Sequence, residues 1–83
     1  MLTLDNLLDV GKQLRAERKA LGMTQSALAK AAGLRRETII RLEAGENVDM
    51  ITFLKAVAAL NKTIRLADKR HDYETVKALF NGD

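Results

Sequence analysis

The positions of apolar residues along the chain predict a first helix with one buried face. Apolar residues recur at spacings of three and four up to Gly22, a glycine suited to the left-handed end of a helix. We expect this helix to begin at Thr3 or Asp5 and to end at Leu21. The buried stripe consists of Leu7, Gly11, Leu14, Arg18 and Leu21. Arg18 is the one charged member of this otherwise apolar stripe.

Capping residues and glycines predict two short helices after the first. Thr24 is suited to the N-cap of a helix over residues 25–32, and Gly33 is suited to end it. A third helix is expected from about residue 35 to 44, with Gly45 after it. Gly33 also supplies the positive φ that a tight turn between two near-perpendicular helices requires. The pattern therefore predicts two short helices joined by a glycine turn.

The rest of the chain is predicted to add a fourth helix and an extension. Asp49 is suited to cap a helix reaching Leu60, whose apolar residues cover more than one face. Residues 63–67 alternate between apolar and polar side chains, which favours a strand paired with another chain or with the tail. Asp72 is suited to cap a last helix. The residues expected to contact a second copy or a partner are Ile64, Leu66, Tyr73, Val76 and Phe80.

Composition limits the chemistry open to the chain. Its 83 residues include one histidine and no cysteine, so disulfides, thiolate metal sites and common nucleophilic triads have no basis. His71 lies beside Asp72 without a convincing set of further ligands, and we interpret it as a surface residue. We therefore expect no enzyme, no metal and no cofactor. Because no apolar run approaches the ~20 residues that cross a bilayer, we expect a cytoplasmic protein.

Charge is concentrated in the middle of the chain. The formal net charge is only +3, but residues 12–41 carry eight basic and two acidic side chains. Such a segment is typical of a surface that binds a polyanion, and the alternative is an ordinary solvated helical face. The outward residues of the third helix are Arg35, Arg36, Glu37, Ile40 and Arg41. Long polar side chains near a helix N-terminus are suited to reading the DNA major groove.

The residues around the glycine turn form an extended motif. It reads Met23-Thr24-Gln25-x-x-Leu28-Ala29-x-x-Ala32-Gly33-Leu34-x-Arg36-x-Thr38-Ile39-x-Arg41-Leu42-Glu43-x-Gly45. This motif resembles that of the Cro/phage-repressor (XRE) helix-turn-helix family, and the likeness covers residues 10–60. It implies an all-α, lambda-repressor-like domain of about four or five helices. We assign residues 3–61 to this domain and residues 62–83 to an extension for dimer or partner contact.

The resemblance also implies roles for individual residues. Gln25 matches a residue that bonds a backbone phosphate and braces the recognition helix. The residues matching base-reading positions are Arg36, Glu37 and Arg41, with Thr38 nearby. Arg18 and Glu43 match a buried ion pair, which explains a cation on an apolar stripe.

Three residues depart from the family pattern. Arg35 occupies the N-cap site of the third helix, where the family favours Ser or Thr, and we interpret it as a phosphate or base contact. Ile40 is apolar where the family is usually polar, which favours contact with thymine methyl groups. Glu46 follows Gly45, where a base or amide often touches phosphate, and this leaves Asn47 as the expected contact of that loop.

Residues 49–66 are similar to HipB-type antitoxins, which bind DNA as dimers, pair with a toxin and repress their own operon. In those proteins the strand joins its mate across a two-fold axis. The resemblance therefore implies a homodimer on an inverted-repeat operator, a cognate toxin, and a prokaryotic protein at the nucleoid. Two alternatives stay open: a phage-type or stand-alone regulator without a toxin, and a protein-interaction module that has lost DNA binding.

Overall fold

The computed structural model describes residues 6–68, which contain four helices and, over that range, no strand. The helices are α1 (Leu7–Ala20), α2 (Gln25–Ala32), α3 (Arg36–Glu43) and α4 (Met50–Ala59). Helix α3 packs against α1 and α2, and α2 packs against α4. The predicted all-α, helix-turn-helix fold is confirmed. Among the helices described, none has the length and apolar character needed to cross a membrane.

Helix α1 begins later than the sequence predicted. Asn6 is extended (φ −152°, ψ 169°), and its side-chain Oδ1 accepts a hydrogen bond from the Asp9 backbone N–H at 2.9 Å. Asn6 is therefore the N-cap, and the predicted start at Thr3 or Asp5 is wrong because the side chain of Asn6 caps the first free amides of the helix. The helix ends at Ala20, one residue before the predicted end, and Leu21 is its C-cap. Leu7 is 50% and Leu21 is 53% exposed, so the buried stripe is shorter than predicted and contains only Gly11, Leu14 and Arg18.

The two helices of the motif have the predicted boundaries to within a residue. Thr24 accepts a hydrogen bond from the Ala27 backbone N–H at 3.0 Å, and Gly33 has the left-handed φ of 70°. These two local features set α2 at the bounds that the sequence predicted. Helix α3 is one residue shorter at each end than predicted, because Arg35 is extended and Ala44 is its C-cap.

Helix α4 is set by a side-chain cap and a left-handed asparagine. The Thr52 backbone N–H donates to Asp49 Oδ1 at 2.7 Å, and this hydrogen bond lowers the pKa of Asp49 from its ordinary value. The helix ends at Ala59, one residue before the predicted end, and Asn61 has φ 59°. Residues 62–68 are exposed and form no strand in the single chain. The strand predicted over residues 63–67 is therefore not present there. A strand there requires a partner edge. The predicted tail helix lies outside the described residues.

The core lies where the four helices meet. Its buried apolar residues are Leu14, Leu28, Ala29, Ile39, Leu42, Ala56, Val57 and Leu60. The backbones of α1 and α3 come unusually close at Gly11. A Cβ added there would lie 2.6 Å from the Leu42 carbonyl oxygen and 2.7 Å from that of Glu43. Glycine therefore permits the contact that places α3 against α1.

Candidate nucleic-acid interface

Helix α3 has one buried side and one exposed polar side. Ile39 is fully buried and Leu42 is 5% exposed, and these two residues anchor the helix in the core. The residues on the exposed side are Arg36, Glu37, Ile40 and Arg41, with Arg35 just before the helix. Because a helix repeats every 3.6 residues, positions 36, 37, 40 and 41 share one face. The structure thus presents the predicted base-reading residues outward.

A buried ion pair fixes the C-terminal end of α3. Arg18 Nε donates to Glu43 Oε2 at 2.6 Å, and Arg18 Nη2 donates to Glu43 Oε1 at 3.0 Å. The two side chains are only 8% and 5% exposed. Arg18 Nη1 also donates to the Met23 carbonyl oxygen at 2.7 Å. The same guanidinium therefore links α1, the turn before α2 and the end of α3.

Gln25 joins this network from the first turn of α2. Its Nε2 donates to Glu43 Oε1 at 3.2 Å, so the side chain braces the end of α3 from α2. Its position at the helix N-terminus also suits an anion, since free backbone N–H groups and the positive end of the helix dipole are found there. The geometry is compatible with both roles that the resemblance implied for Gln25.

An open groove of about 550 Å³ lies beside the exposed side of α3. It is lined by Arg15, Arg18, Thr24, Gln25, Ser26, Arg36, Ile40, Glu43 and Ala44. Arg15 and Ser26 were not among the predicted site residues. Arg15 lies three residues before Arg18, which places both on the same side of α1, and that spacing was the signal in the sequence. With Glu43 already paired to Arg18, Arg15 and Arg36 leave the groove basic.

Arg35 occupies the N-cap position of α3, but its side chain does not cap the helix. Its backbone is extended (φ −84°, ψ 151°), its side chain makes no capping hydrogen bond, and the residue is exposed. The first backbone amides of α3 therefore have no side-chain acceptor from this residue. A charged side chain stands where a short hydroxyl would stabilise the helix.

A second, smaller concavity of about 290 Å³ lies at the other edge of α3. It is lined by Thr38, Arg41, Asn47, Val48, Asp49 and Thr52. Arg41 is tied to the loop that follows the helix. Its Nε donates to Glu46 Oε1 at 3.2 Å, and its Nη2 lies 3.5 Å from the Asn47 carbonyl oxygen. The ion pair between Arg41 and Glu46 is not predicted from the sequence.

The structure therefore divides the predicted site residues between the two concavities. Gln25 and Arg36 line the first, and the second receives Thr38, Arg41 and Asn47. Two more, Arg35 and Glu37, are exposed beside them. Of the predicted contact residues, Ile64 is 44% and Leu66 is 99% exposed. The others, Tyr73, Val76 and Phe80, lie outside the described residues. Within residues 6–68, no group of three or more acidic, His or Cys side chains could hold a metal ion.

Comparison with known proteins places this geometry in a family. The Helix-turn-helix family profile HTH_3 matches residues 14–66, more than half of the chain. A comparison with curated protein sequences finds no match. Among solved structures, the restriction-modification controller protein C.AhdI from Aeromonas hydrophila is 36% identical, with a TM-score of 0.66. The aligned part covers 69% of this chain and 88% of C.AhdI.

Two structures of HipB are also similar. HipB in the HipA-HipB-O2-O3 complex is 27% identical, with a TM-score of 0.75, and HipB in the HipB-O4 20mer complex is 27% identical, with a TM-score of 0.76. Each alignment covers 84% of this chain and 100% of the HipB chain. The profile match and these similar structures are consistent with a helix-turn-helix protein whose helix α3 is exposed. The chain belongs to the XRE-type helix-turn-helix family of DNA-binding transcriptional regulators.

Proposed function

We propose that this regulator is a sequence-specific repressor that binds an inverted-repeat operator as a homodimer. The observation that carries the proposal is the exposed polar side of α3, held outward by Ile39 and Leu42 on its buried side. An α-helix with long polar side chains fits the major groove, where all four base pairs are distinguishable. The basic groove beside α3 would supply attraction to phosphates that does not depend on sequence.

Each residue of α3 has chemistry suited to a particular contact. Arg36 and Arg41 carry planar guanidinium groups that match the O6 and N7 acceptors of guanine, and Glu37 accepts from cytosine N4. Ile40 is 38% exposed and is suited to a thymine methyl group. The phosphate contacts would come from Gln25, Arg35 and Asn47, with Thr38 beside the base readers.

The homodimer would use the extension of residues 62–83, with residues 3–61 forming the DNA-binding domain. Leu66 is 99% and Ile64 is 44% exposed, and alternating apolar residues of this kind are stabilised when a strand finds a partner edge. Pairing with the same segment of a second copy would satisfy both chains at once. Such a dimer would place its two α3 helices ~34 Å apart, about one turn of DNA.

We further propose that the protein is the antitoxin of a toxin–antitoxin operon and represses its own promoter. The likeness to HipB, which is found in a complex with HipA, covers all of the HipB chain and supports this role. Tyr73, Val76 and Phe80 would then contact either the second copy or the toxin. A repressor of this type acts where the chromosome lies, in the prokaryotic cytoplasm.

A stand-alone regulator without a toxin is the second candidate. It is favoured by the 36% identity to C.AhdI, a restriction-modification controller protein. Expression of each neighbouring reading frame, alone and together with this chain, distinguishes the two. An antitoxin relieves growth arrest caused by its neighbour, whereas a stand-alone regulator has no such neighbour.

The test of DNA reading compares specific with unrelated DNA. Fluorescence anisotropy would measure binding to the DNA upstream of this reading frame and to a scrambled duplex, at several salt concentrations. We expect the Arg36→Ala substitution to cost ~1–3 kcal/mol on the specific duplex and to relax preference at one base pair. The matched control is Lys55→Ala, an exposed cation of α4 that lines neither concavity. Equal loss for Arg36→Ala on both duplexes would make Arg36 a phosphate contact and contradict base reading.

A further inference from the structure

Glu46 places a negative charge beside a base-reading arginine. Its Oε1 accepts from Arg41 Nε at 3.2 Å, and the two side chains are 56% and 53% exposed. This pair lies on the solvent side of α3, where the proposed operator would approach. A carboxylate there repels the phosphates of DNA, so attraction to DNA does not explain why Glu46 occupies this position.

The fold does not require this carboxylate. The Glu46 backbone N–H donates to the Arg41 carbonyl oxygen at 3.0 Å, so the turn after α3 is closed by the main chain whatever the side chain. Gly45, with φ 83°, provides the left-handed residue of the same turn. An ion pair this exposed contributes little to stability. The side chain of Glu46 can therefore be changed without disturbing the position of Arg41's helix.

The pair does control what Arg41 is free to bind. While Arg41 Nε is held by Glu46, the guanidinium already has a carboxylate partner, and the negative charge of Glu46 repels an approaching phosphate. A guanine edge carries no net charge, so Glu46 repels it far less than a phosphate, and its O6 and N7 acceptors match the planar guanidinium. An exchange of Arg41 from Glu46 to DNA would therefore be more favourable at a matching guanine than at a phosphate.

We propose that Glu46 is a specificity-determining residue, which holds Arg41 away from phosphates until a guanine edge replaces its carboxylate. This inference rests on the proposed function, since it assumes that Arg41 reads a base. It predicts that Glu46 weakens binding to every duplex but weakens non-matching DNA the most. Its effect is therefore seen in the ratio of specific to non-specific affinity.

The experiment uses the full chain and two DNA probes. One is the 20-base-pair duplex that the wild-type protein enriches from a randomised library, and the other is a random-sequence duplex of the same length. The variants are Glu46→Gln, Arg41→Ala and the two combined. The matched control is Glu17→Gln, which removes the same charge from an ion pair with Lys62 (3.5 Å) and lines neither concavity. Circular dichroism verifies that each variant keeps its helix content.

We expect Glu46→Gln to raise affinity for the random duplex about two- to fivefold, and to change affinity for the enriched duplex less. The ratio of the two affinities should fall by a similar factor. In the Arg41→Ala background the same substitution should leave the ratio unchanged, because no guanidinium remains to be held. The Glu17→Gln control should also leave the ratio unchanged.

Three results would overturn the inference. If Glu46→Gln leaves the ratio unchanged or raises it while the wild type still discriminates, the inference fails and the proposed function stands. If the wild type enriches no sequence from the library, the proposed function and the inference fail together. A fall in the ratio that persists without Arg41 also contradicts the inference, because the effect would then come from Glu46 alone.

Discussion

Arg18 and Glu43 lie 25 residues apart in sequence and are joined by two charge-assisted hydrogen bonds, of 2.6 Å and 3.0 Å. Both side chains are more than nine-tenths buried, so each charge depends on the other for its compensation. The pair ties the end of α1 to the end of α3. The orientation of the recognition helix is therefore set at its C-terminus, while the end expected to enter DNA stays exposed.

Removing one member of this pair should destabilise the domain strongly. We expect Arg18→Ala to cost ~3–5 kcal/mol of unfolding free energy, because Glu43 would be left buried without its partner. Urea unfolding followed by circular dichroism measures the change. Arg15→Ala, an exposed cation three residues earlier, serves as the control and should change stability by no more than ~0.5 kcal/mol. A loss for Arg18→Ala as small as that of the control would show that the pair is not structural.

The close contact at Gly11 gives a second prediction. A Cβ at this position would meet main-chain atoms of Leu42 and Glu43 at 2.6–2.7 Å, which cannot move as a flexible side chain could. We expect Gly11→Ala to cost ~1–3 kcal/mol and to shift α3 relative to α1. Gly22→Asn is the control, because Gly22 has φ 69° and no atom within 4 Å of an added Cβ. Asparagine tolerates that conformation. Thermal unfolding that ranks the two variants in the opposite order would contradict the account.

Arg35 should show opposite effects on stability and on binding. Arg35→Ser introduces an N-cap at a helix that has no side-chain cap, and we expect it to stabilise the domain by ~0.5–2 kcal/mol. The same substitution removes a cation from the DNA-facing end of α3, so affinity for DNA should fall. Arg35→Ala separates the two effects, since it removes the charge without adding a cap. Paired unfolding and anisotropy titrations measure both quantities. If Arg35→Ser binds DNA as well as the wild type, Arg35 is not a DNA contact.

Residues 63–67 should pair with a second copy through one side only. We expect Ile64→Lys to weaken the proposed homodimer at least about tenfold, because a charge would be buried at the interface. Thr63→Lys adds the same side chain at the neighbouring position, which a strand turns to the opposite face, and should leave the dimer intact. Sedimentation equilibrium of both variants provides the comparison. Equal effects of the two substitutions would argue against a strand.

Local signals in the sequence were sufficient to predict most of the fold. Thr24 and Asp49 cap the helices that follow them, and Gly33 turns the chain between α2 and α3, because such features depend on a few neighbouring residues. The start of α1 also depends on a local cap, but here two neighbouring residues compete for the position. Asp5 and Asn6 are both good N-caps, and the sequence alone does not rank them.

The parts that could not be predicted depend on geometry beyond neighbouring residues. The pairing of Arg41 with Glu46 spans a glycine turn, and only the turn's conformation brings the two side chains together. Arg15 and Arg36 line the same groove because α1 and α3 pack together. The two residues are far apart in sequence, so the sequence alone does not show that they share a groove. Residues 62–68 form no strand in the single chain, because a strand needs a partner edge to be stable.

Protection of DNA from methylation would show whether α3 enters the major groove. Dimethyl sulfate methylates guanine N7 in the major groove and adenine N3 in the minor groove. On the duplex that the wild-type protein enriches, we predict protection of guanine N7 in two inverted half-sites about 10 base pairs apart, with the same guanine of each half-site losing its protection in Arg36→Ala. Protection confined to adenine N3, or an unchanged guanine pattern in Arg36→Ala, would contradict the account.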